Sequence, residues 1–275
     1  MPYFITSDSC RIYYEEHGSG KPLIFIHGWA CNHRFFKYQT GELSDNYRVI
    51  LYDLRGHGRS DRSEITERNM TLRRLAADLR ELIEYLKLDK VNAVGWSMGT
   101  SILLSYIRKY KSSHLDKLCF IDMTPKLLND SEWKLGHGAS MTLKKNFMFL
   151  SAMSADWDAA AERFTPNCFA SDFSRNEPEY EWVLSEVKDN TPHCMVNSWI
   201  SMASEDYRRV LPRIEIPVLL AYSGKGLICF PEHGEYMKDH IGDNSRLVIF
   251  PECGHCLFLE APEKFNRELD MFLRS

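Results

Sequence analysis

Val94-Gly95-Trp96-Ser97-Met98-Gly99 sets one serine between two glycines, where one hydrophobic period gives way to another. Residues 90–94 before it read as a short buried strand. After it, Met98, Ile102, Leu103, Tyr106, Ile107 and Tyr110 recur at helical spacing. Strand, Gly-x-Ser-x-Gly and helix in that order form the context of a nucleophile elbow, a turn so sharp that the serine hydroxyl stands exposed above a sheet. Glycines at 95 and 99 let the chain fold back on itself, and the backbone strain falls on Ser97. The following helix directs its N-terminal dipole at Ser97, which favours negative charge developing there. A glycine-flanked turn with an incidental serine satisfies the same pentapeptide, so the rest of the chain has to decide.

Outward from the elbow, strands and helices alternate. Residues 4–5 and 11–15, separated by Thr6-Ser7-Asp8-Ser9, predict an N-terminal hairpin. Residues 23–27 and 47–53 are continuous apolar runs, as in parallel strands buried on both faces, and 117–122, 216–222 and 246–250 continue the series. Gly18-Ser19-Gly20-Lys21 lacks the first glycine and the Ser/Thr of a phosphate loop and reads as a hairpin turn. Apolar positions at Leu72, Leu75, Ala76, Leu79, Leu82, Ile83 and Leu86 make 71–88 an amphipathic helix, and 262–273 closes the chain with another. The expected class is α/β, a mostly parallel doubly wound sheet with helices on both faces.

That rhythm breaks after Pro125. Residues 126–206 are helical in pattern and aromatic in content, with Trp133, Trp157, Phe164, Trp182 and Trp199 among them. The expected organisation is a core of residues 1–125 and 207–275 with a helical cap, 126–206, inserted between them. Ligands of open α/β sheets bind at the carboxyl ends of the strands, the edge such a cap would cover.

Composition limits the partners. The net charge of −4 has no long basic run, which argues against nucleic acid. No apolar stretch approaches the ~18–20 residues that span a bilayer, so no membrane partner is expected. The start Met1-Pro2-Tyr3-Phe4 has neither the charged nor the apolar region of a secretory signal. Eight cysteines without framework spacing predict reduced, partly buried thiols in a cytoplasmic protein.

A serine hydroxyl needs a neighbouring base to become a nucleophile. His255, in Cys253-Gly254-His255-Cys256, follows the strand ending at Phe250 and so sits at the same sheet edge as Ser97. Acyl transfer also needs backbone N–H groups aimed at the oxyanion. The N–H groups of Met98 and of Trp29, in His27-Gly28-Trp29 after an early strand, are the expected pair. His27 is read as an anchor for that loop. The glycine turn Asp53-Leu54-Arg55-Gly56-His57-Gly58-Arg59-Ser60 is read as structural. Cys253, His255 and Cys256 lack a second ligand pair at zinc spacing, so no metal and no cofactor is expected.

With His27-Gly28-Trp29, the 53–60 turn, Gly95-Trp96-Ser97-Met98-Gly99 and Gly254-His255 in order, the chain resembles the α/β-hydrolase fold superfamily throughout its length. It is similar in particular to the capped esterase, perhydrolase and lactonase branch. The resemblance implies a Gly-x-x-Asp acid loop after the strand that precedes the histidine strand. Aligning Pro231-Glu232 with the family's Pro-Glu puts Gly226 at the acid position. Asp122, in Phe120-Ile121-Asp122-Met123-Thr124-Pro125, is the expected substitute, because some members of the fold carry the acid one strand after the elbow. Glu232 and Asp239 are weaker candidates, since the helix that follows carries them away from the strand tip.

The expected function is hydrolysis of a carboxylic ester or lactone by Ser97, His255 and Asp122 through an acyl-enzyme. Trp29 and Trp96 are expected to contact a small-molecule ester substrate, medium-sized and apolar or aromatic. Cleavage of a C–C bond or thioester, perhydrolysis, and a slow or non-catalytic signal receptor are the alternatives, the last favoured by the vacated Gly226 position.

Overall fold

The computed structural model describes residues 3–62 and 69–275; Met1 and Pro2, where the stretch read as lacking a signal begins, lie outside the described residues. Eight strands form one sheet: β1 (Tyr3–Ile5), β2 (Arg11–His17), β3 (Lys21–Ile26), β4 (Tyr47–Tyr52), β5 (Val91–Trp96), β6 (Leu115–Ile121), β7 (Val218–Ser223) and β8 (Ser245–Phe250). Their order is β1-β2-β4-β3-β5-β6-β7-β8. The β1–β2 and β2–β4 pairs are antiparallel, and every pair from β4 to β8 is parallel.

The expected α/β class and N-terminal β1–β2 hairpin are both present. The turn at 18–20 is not a hairpin, which corrects the sequence reading. β2 pairs with β4, Tyr14 opposite Tyr52, while β3 lies between β4 and β5. The reason is burial: Leu23 to Ile26 are covered on both faces and need strand neighbours on both sides, whereas β2 carries the part-exposed Glu15, Glu16 and His17 and tolerates a place near the edge.

Helices α1 (Lys37–Leu43), α2 (Leu72–Tyr85) and α3 (Met98–Tyr110) belong to the first half. Thr71 caps α2 by accepting the Arg74 N–H, and the buried stripe through Leu72, Leu75, Leu79 and Leu82 is the one the sequence marks. Between β6 and β7 the chain runs through α4 (Leu143–Ala155), α5 (Trp157–Phe164), α6 (Pro178–Lys188) and α7 (Pro192–Ala203). It leaves and re-enters the sheet layer side by side: Lys126 bridges Asp206, and the Tyr207 N–H donates to the Pro125 carbonyl at 2.8 Å. The apolar core is continuous from the sheet into this insertion. After it come α8 (Pro231–Ile241), α9 (Leu257–Glu260) and α10 (Pro262–Arg274).

The 53–60 turn is held from within. Arg55, 1% exposed, makes two-pronged contacts with Asp78 (2.6 and 2.7 Å) and with Asp8 (2.8 Å each). Asp53 accepts from the His33 N–H and Nδ1 and from the Arg59 N–H. Burial alone would raise the Asp53 carboxyl, but these donors hold it below the usual carboxylate value. All eight cysteines are buried and none forms a disulfide among the described residues, and no described helix is long and apolar enough to cross a membrane.

Candidate active site

Ser97 joins β5 to α3 with φ 53° and ψ −116°. Only a fixed surrounding sustains such a backbone at a non-glycine residue, at a cost of about 1–3 kcal/mol. Here the Ser97 N–H donates to the Ile121 carbonyl at 2.9 Å, its own carbonyl accepts the Thr100 N–H at 2.9 Å, and Thr100 Oγ1 donates to the Gly95 carbonyl at 2.6 Å. A Cβ at Gly99 would overlap the Ile26 carbonyl oxygen, so that glycine lets α3 lie against β3. Ser97 keeps part of its surface open, while Trp96 and Met98 on either side are buried. Ala30 (φ 58°) and Asp122 (φ 49°) share the positive-φ conformation, which gathers backbone strain at the carboxyl ends of β3, β5 and β6.

His255 lies in the loop after β8, 2% exposed, and its Nδ1 is 2.6 Å from Asp122 Oδ2. Asp122, at the tip of β6, is fully buried. Its other oxygen, Oδ1, accepts the Ser223 N–H at 2.9 Å and the Ser223 hydroxyl at 2.8 Å. A carboxylate with both oxygens so engaged has a fixed orientation, and it fixes the imidazole with Nε2 left for a second partner. Gly226 lies beside this group: a Cβ there would overlap Ser223 Oγ. Glu232 and Asp239 sit on α8.

The loop after β3 approaches Ser97 from the other side. A Cβ on Gly28 would stand 3.3 Å from the Ser97 Cβ. Among the described residues, neither the Trp29 N–H nor the Met98 N–H, the first of α3, has an acceptor. His27 holds the loop. Its Nδ1 meets the Gly28 carbonyl at 2.8 Å, and its Nε2 accepts the Leu54 N–H at 3.0 Å. Burial pushes this imidazole down to about 4, so it is neutral and unsuited to carrying a proton.

The two tryptophans expected at the substrate have different neighbours. Trp29 joins an aromatic cluster with Trp157, Phe164, Trp199 and Phe149 of the insertion, at ring distances of 5.0 to 6.0 Å. Its Nε1 donates to the Met195 carbonyl at 2.9 Å. Trp96 is 1% exposed, enclosed by Phe35, Phe258 and the His255 ring, and its Nε1 donates to the His255 carbonyl at 2.9 Å. Its neighbour is the histidine loop.

Three further residues adjoin the site. Ser223 grips Asp122. Glu260 accepts the Gly254 N–H at 2.8 Å and the Ala170 N–H at 3.0 Å, tying the histidine loop to the insertion; burial pushes its carboxyl up to about 7. His137, in the insertion, stands edge-on to Trp199 at 5.4 Å and is close enough to feel the charge of His255. Sequence reasoning missed Ser223, whose signal was its place directly after the predicted 216–222 strand, at the start of the altered acid loop. Nothing in the sequence marked Glu260 or His137, whose neighbours are brought together by the tertiary fold.

Residues 21–262 match the family described as the alpha/beta hydrolase fold. An esterase from Exiguobacterium antarcticum has a TM-score of 0.91 and 30% identity, over 99% of both chains. A bromoperoxidase from Bacillus anthracis has a TM-score of 0.90 and 27% identity, over 99% of this chain and 100% of that one. In sequence, 3-oxoadipate enol-lactonase 1 from Acinetobacter baylyi is 25% identical over 254 residues, 92% of this chain and 88% of its own. A match over that much of the length, on a sheet of this order with a strained serine between β5 and α3, makes the chain a member of the alpha/beta hydrolase fold family.

Proposed function

We propose that the protein is a serine hydrolase that cleaves a carboxylic ester or lactone through an acyl-enzyme, with Ser97 as nucleophile, His255 as general base and Asp122 as the acid. The observation that carries this is the 2.6 Å contact between His255 Nδ1 and Asp122 Oδ2, in a chain whose usual acid position holds Gly226. His255 Nε2 takes the Ser97 proton as Oγ attacks the carbonyl carbon, and Asp122 stays ionised and stabilises the imidazolium. The tetrahedral oxyanion takes its hydrogen bonds from the Trp29 and Met98 N–H groups, each such donor being worth roughly 10²–10³ in turnover. Collapse expels the alkoxide, which leaves with the proton from His255; in a lactone it stays attached as the ring-opened hydroxyl. A water deprotonated by His255 then releases the acid and restores Ser97. The aromatic cluster of Trp29, Trp199 and Phe149 suits an apolar portion of the substrate, and residues 126–206 act as the cap.

The similarity to a bromoperoxidase favours a second reaction of the same acyl-enzyme, in which hydrogen peroxide replaces water and the product is a peracid. Hydrolysis of p-nitrophenyl acetate, butyrate and octanoate by wild type and Ser97→Ala, with and without peroxide, tests both. Hydrolysis that disappears in Ser97→Ala supports the proposal. Equal hydrolysis by the two proteins, or none by wild type, contradicts it. Peracid formed only by wild type supports the second reaction.

A further inference from the structure

The backbone around His137 is pinned on every side. Its N–H donates to the Leu127 carbonyl at 2.9 Å, the Gly136 N–H donates to Asn129 Oδ1 at 2.6 Å, and the Gly138 N–H donates to the Ile228 carbonyl at 2.7 Å. His233, fully buried, accepts the Phe230 N–H on Nδ1, which makes Nε2 the donor to the Gly136 carbonyl at 3.2 Å. All this anchoring serves the backbone. Among the described residues the His137 imidazole itself has no hydrogen-bond partner, only the edge-on contact with Trp199.

The ring's surroundings point to what it meets. Burial, reinforced by the nearby His255 and His233, pushes the imidazole down to about 3, so it is neutral, with one N–H to donate and one lone pair to accept. Yet the residue keeps part of its surface open, as Ser97 does, and it lies close enough to His255 to feel its charge. Trp199 continues the wall from His137 to Trp29 at 5.2 Å, and the Trp29 N–H is an oxyanion donor in the proposed reaction. A neutral donor and acceptor in an aromatic wall is costly to leave unpaired, and a site built this way discriminates against ligands that cannot pair it.

We infer that His137 reads the substrate: its imidazole hydrogen-bonds a hydroxyl or carbonyl oxygen carried outside the scissile group, so that the site selects hydroxy- or oxo-substituted esters and lactones over plain ones. This rests on the ester-hydrolase reading. Anchoring of residues 136–138 fixes where the side chain starts, and the edge-on contact with Trp199 limits where the ring can go, which favours one position for the paired oxygen.

The test compares kcat/KM for methyl butyrate, methyl 3-hydroxybutyrate and 2-hydroxyethyl butyrate in wild type, His137→Phe and His137→Gln. The two hydroxylated esters separate an oxygen on the acyl side from one on the alcohol side. Wild type should prefer one of them by about 10–100-fold over methyl butyrate. His137→Phe should bring that ratio to within about twofold of one, and His137→Gln, which keeps a donor and an acceptor, should restore part of it. A ratio near one in wild type, or an unchanged ratio in His137→Phe, overturns the inference while the hydrolase reading stands. If wild type cleaves none of the three, the hydrolase reading fails instead. Ligand-detected NMR on Ser97→Ala and Ser97→Ala/His137→Phe then decides: selective binding lost with His137 supports recognition, and equal binding by both overturns it.

Discussion

Ser223 and Gly226 share one space: a Cβ on Gly226 would overlap the hydroxyl with which Ser223 holds Asp122 Oδ1 at 2.8 Å. In the proposed triad, the acid that the family resemblance implies at 226 is replaced by an arrangement spread over two strands. β6 supplies the carboxylate, β7 supplies the serine that orients it, and the glycine leaves room for both. Ser223→Ala should lower kcat by roughly 10–100-fold with KM nearly constant, and Ser223→Thr should recover part of the loss. Because Ser223 acts through Asp122, adding Ser223→Ala to Asp122→Asn should cost little more. Full additivity in that cycle would contradict the role. Gly226→Asp should lose activity, since its side chain displaces the serine.

Gly28→Ala tests the oxyanion loop. The new Cβ would lie 3.2 Å from Trp96 Cε3 and 3.3 Å from the Ser97 Cβ, tight enough to push the Gly28–Trp29 turn away from the serine. Turnover should fall by about 10²-fold while thermal stability changes little, because one oxyanion donor is displaced. Unaltered kcat in the variant would place the oxyanion elsewhere.

The strands, the elbow and the histidine loop were legible because each is a local pattern: an apolar run, a glycine pair around Ser97, a strand ending at Phe250 before Gly254-His255. That Asp122 meets His255 was legible through the glycine at 226. The pairing of β2 with β4 was not, because sequence neighbours such as β2 and β3 are joined by a turn that looks the same whether or not they pair. The neighbours of Trp96 were not legible for a related reason. Its type suggests a substrate wall, whereas its partners, Phe35, Phe258 and the His255 carbonyl, are far away in sequence.

Stability should fall in acid. Burial holds His27 near about 4 and His57 near about 3, both below the ordinary histidine value of 6.5. The unfolded chain therefore binds protons that the folded one refuses, so these residues contribute fully above pH ~6.5 and their contribution is lost as pH falls toward their folded values, on the order of 3 kcal/mol for His27. Chemical denaturation from pH 8 to pH 4 should show that decline. A flat profile would mean that these histidines carry charge in the folded state.

Glu260 has the opposite sign. Burial, only partly offset by the Ala170 and Gly254 N–H groups, raises its carboxyl from 4.5 to about 7. The folded protein thus holds this proton more tightly, and stability erodes as pH climbs from ~4.5 through ~7. Glu260→Gln lacks that erosion. Its stability relative to wild type should improve by up to about 3 kcal/mol across the window. A constant difference between the two proteins would contradict the shift.

The most direct measurement is the rate at which a fluorophosphonate labels the protein, followed by intact mass in wild type, Asp122→Asn and Ser97→Ala. Wild type should gain a single adduct on Ser97, Asp122→Asn should react about 10²–10⁴-fold more slowly, and Ser97→Ala should gain none. Labelling of Asp122→Asn at the wild-type rate, or an adduct persisting in Ser97→Ala, would contradict a nucleophile at Ser97 activated through His255 and Asp122.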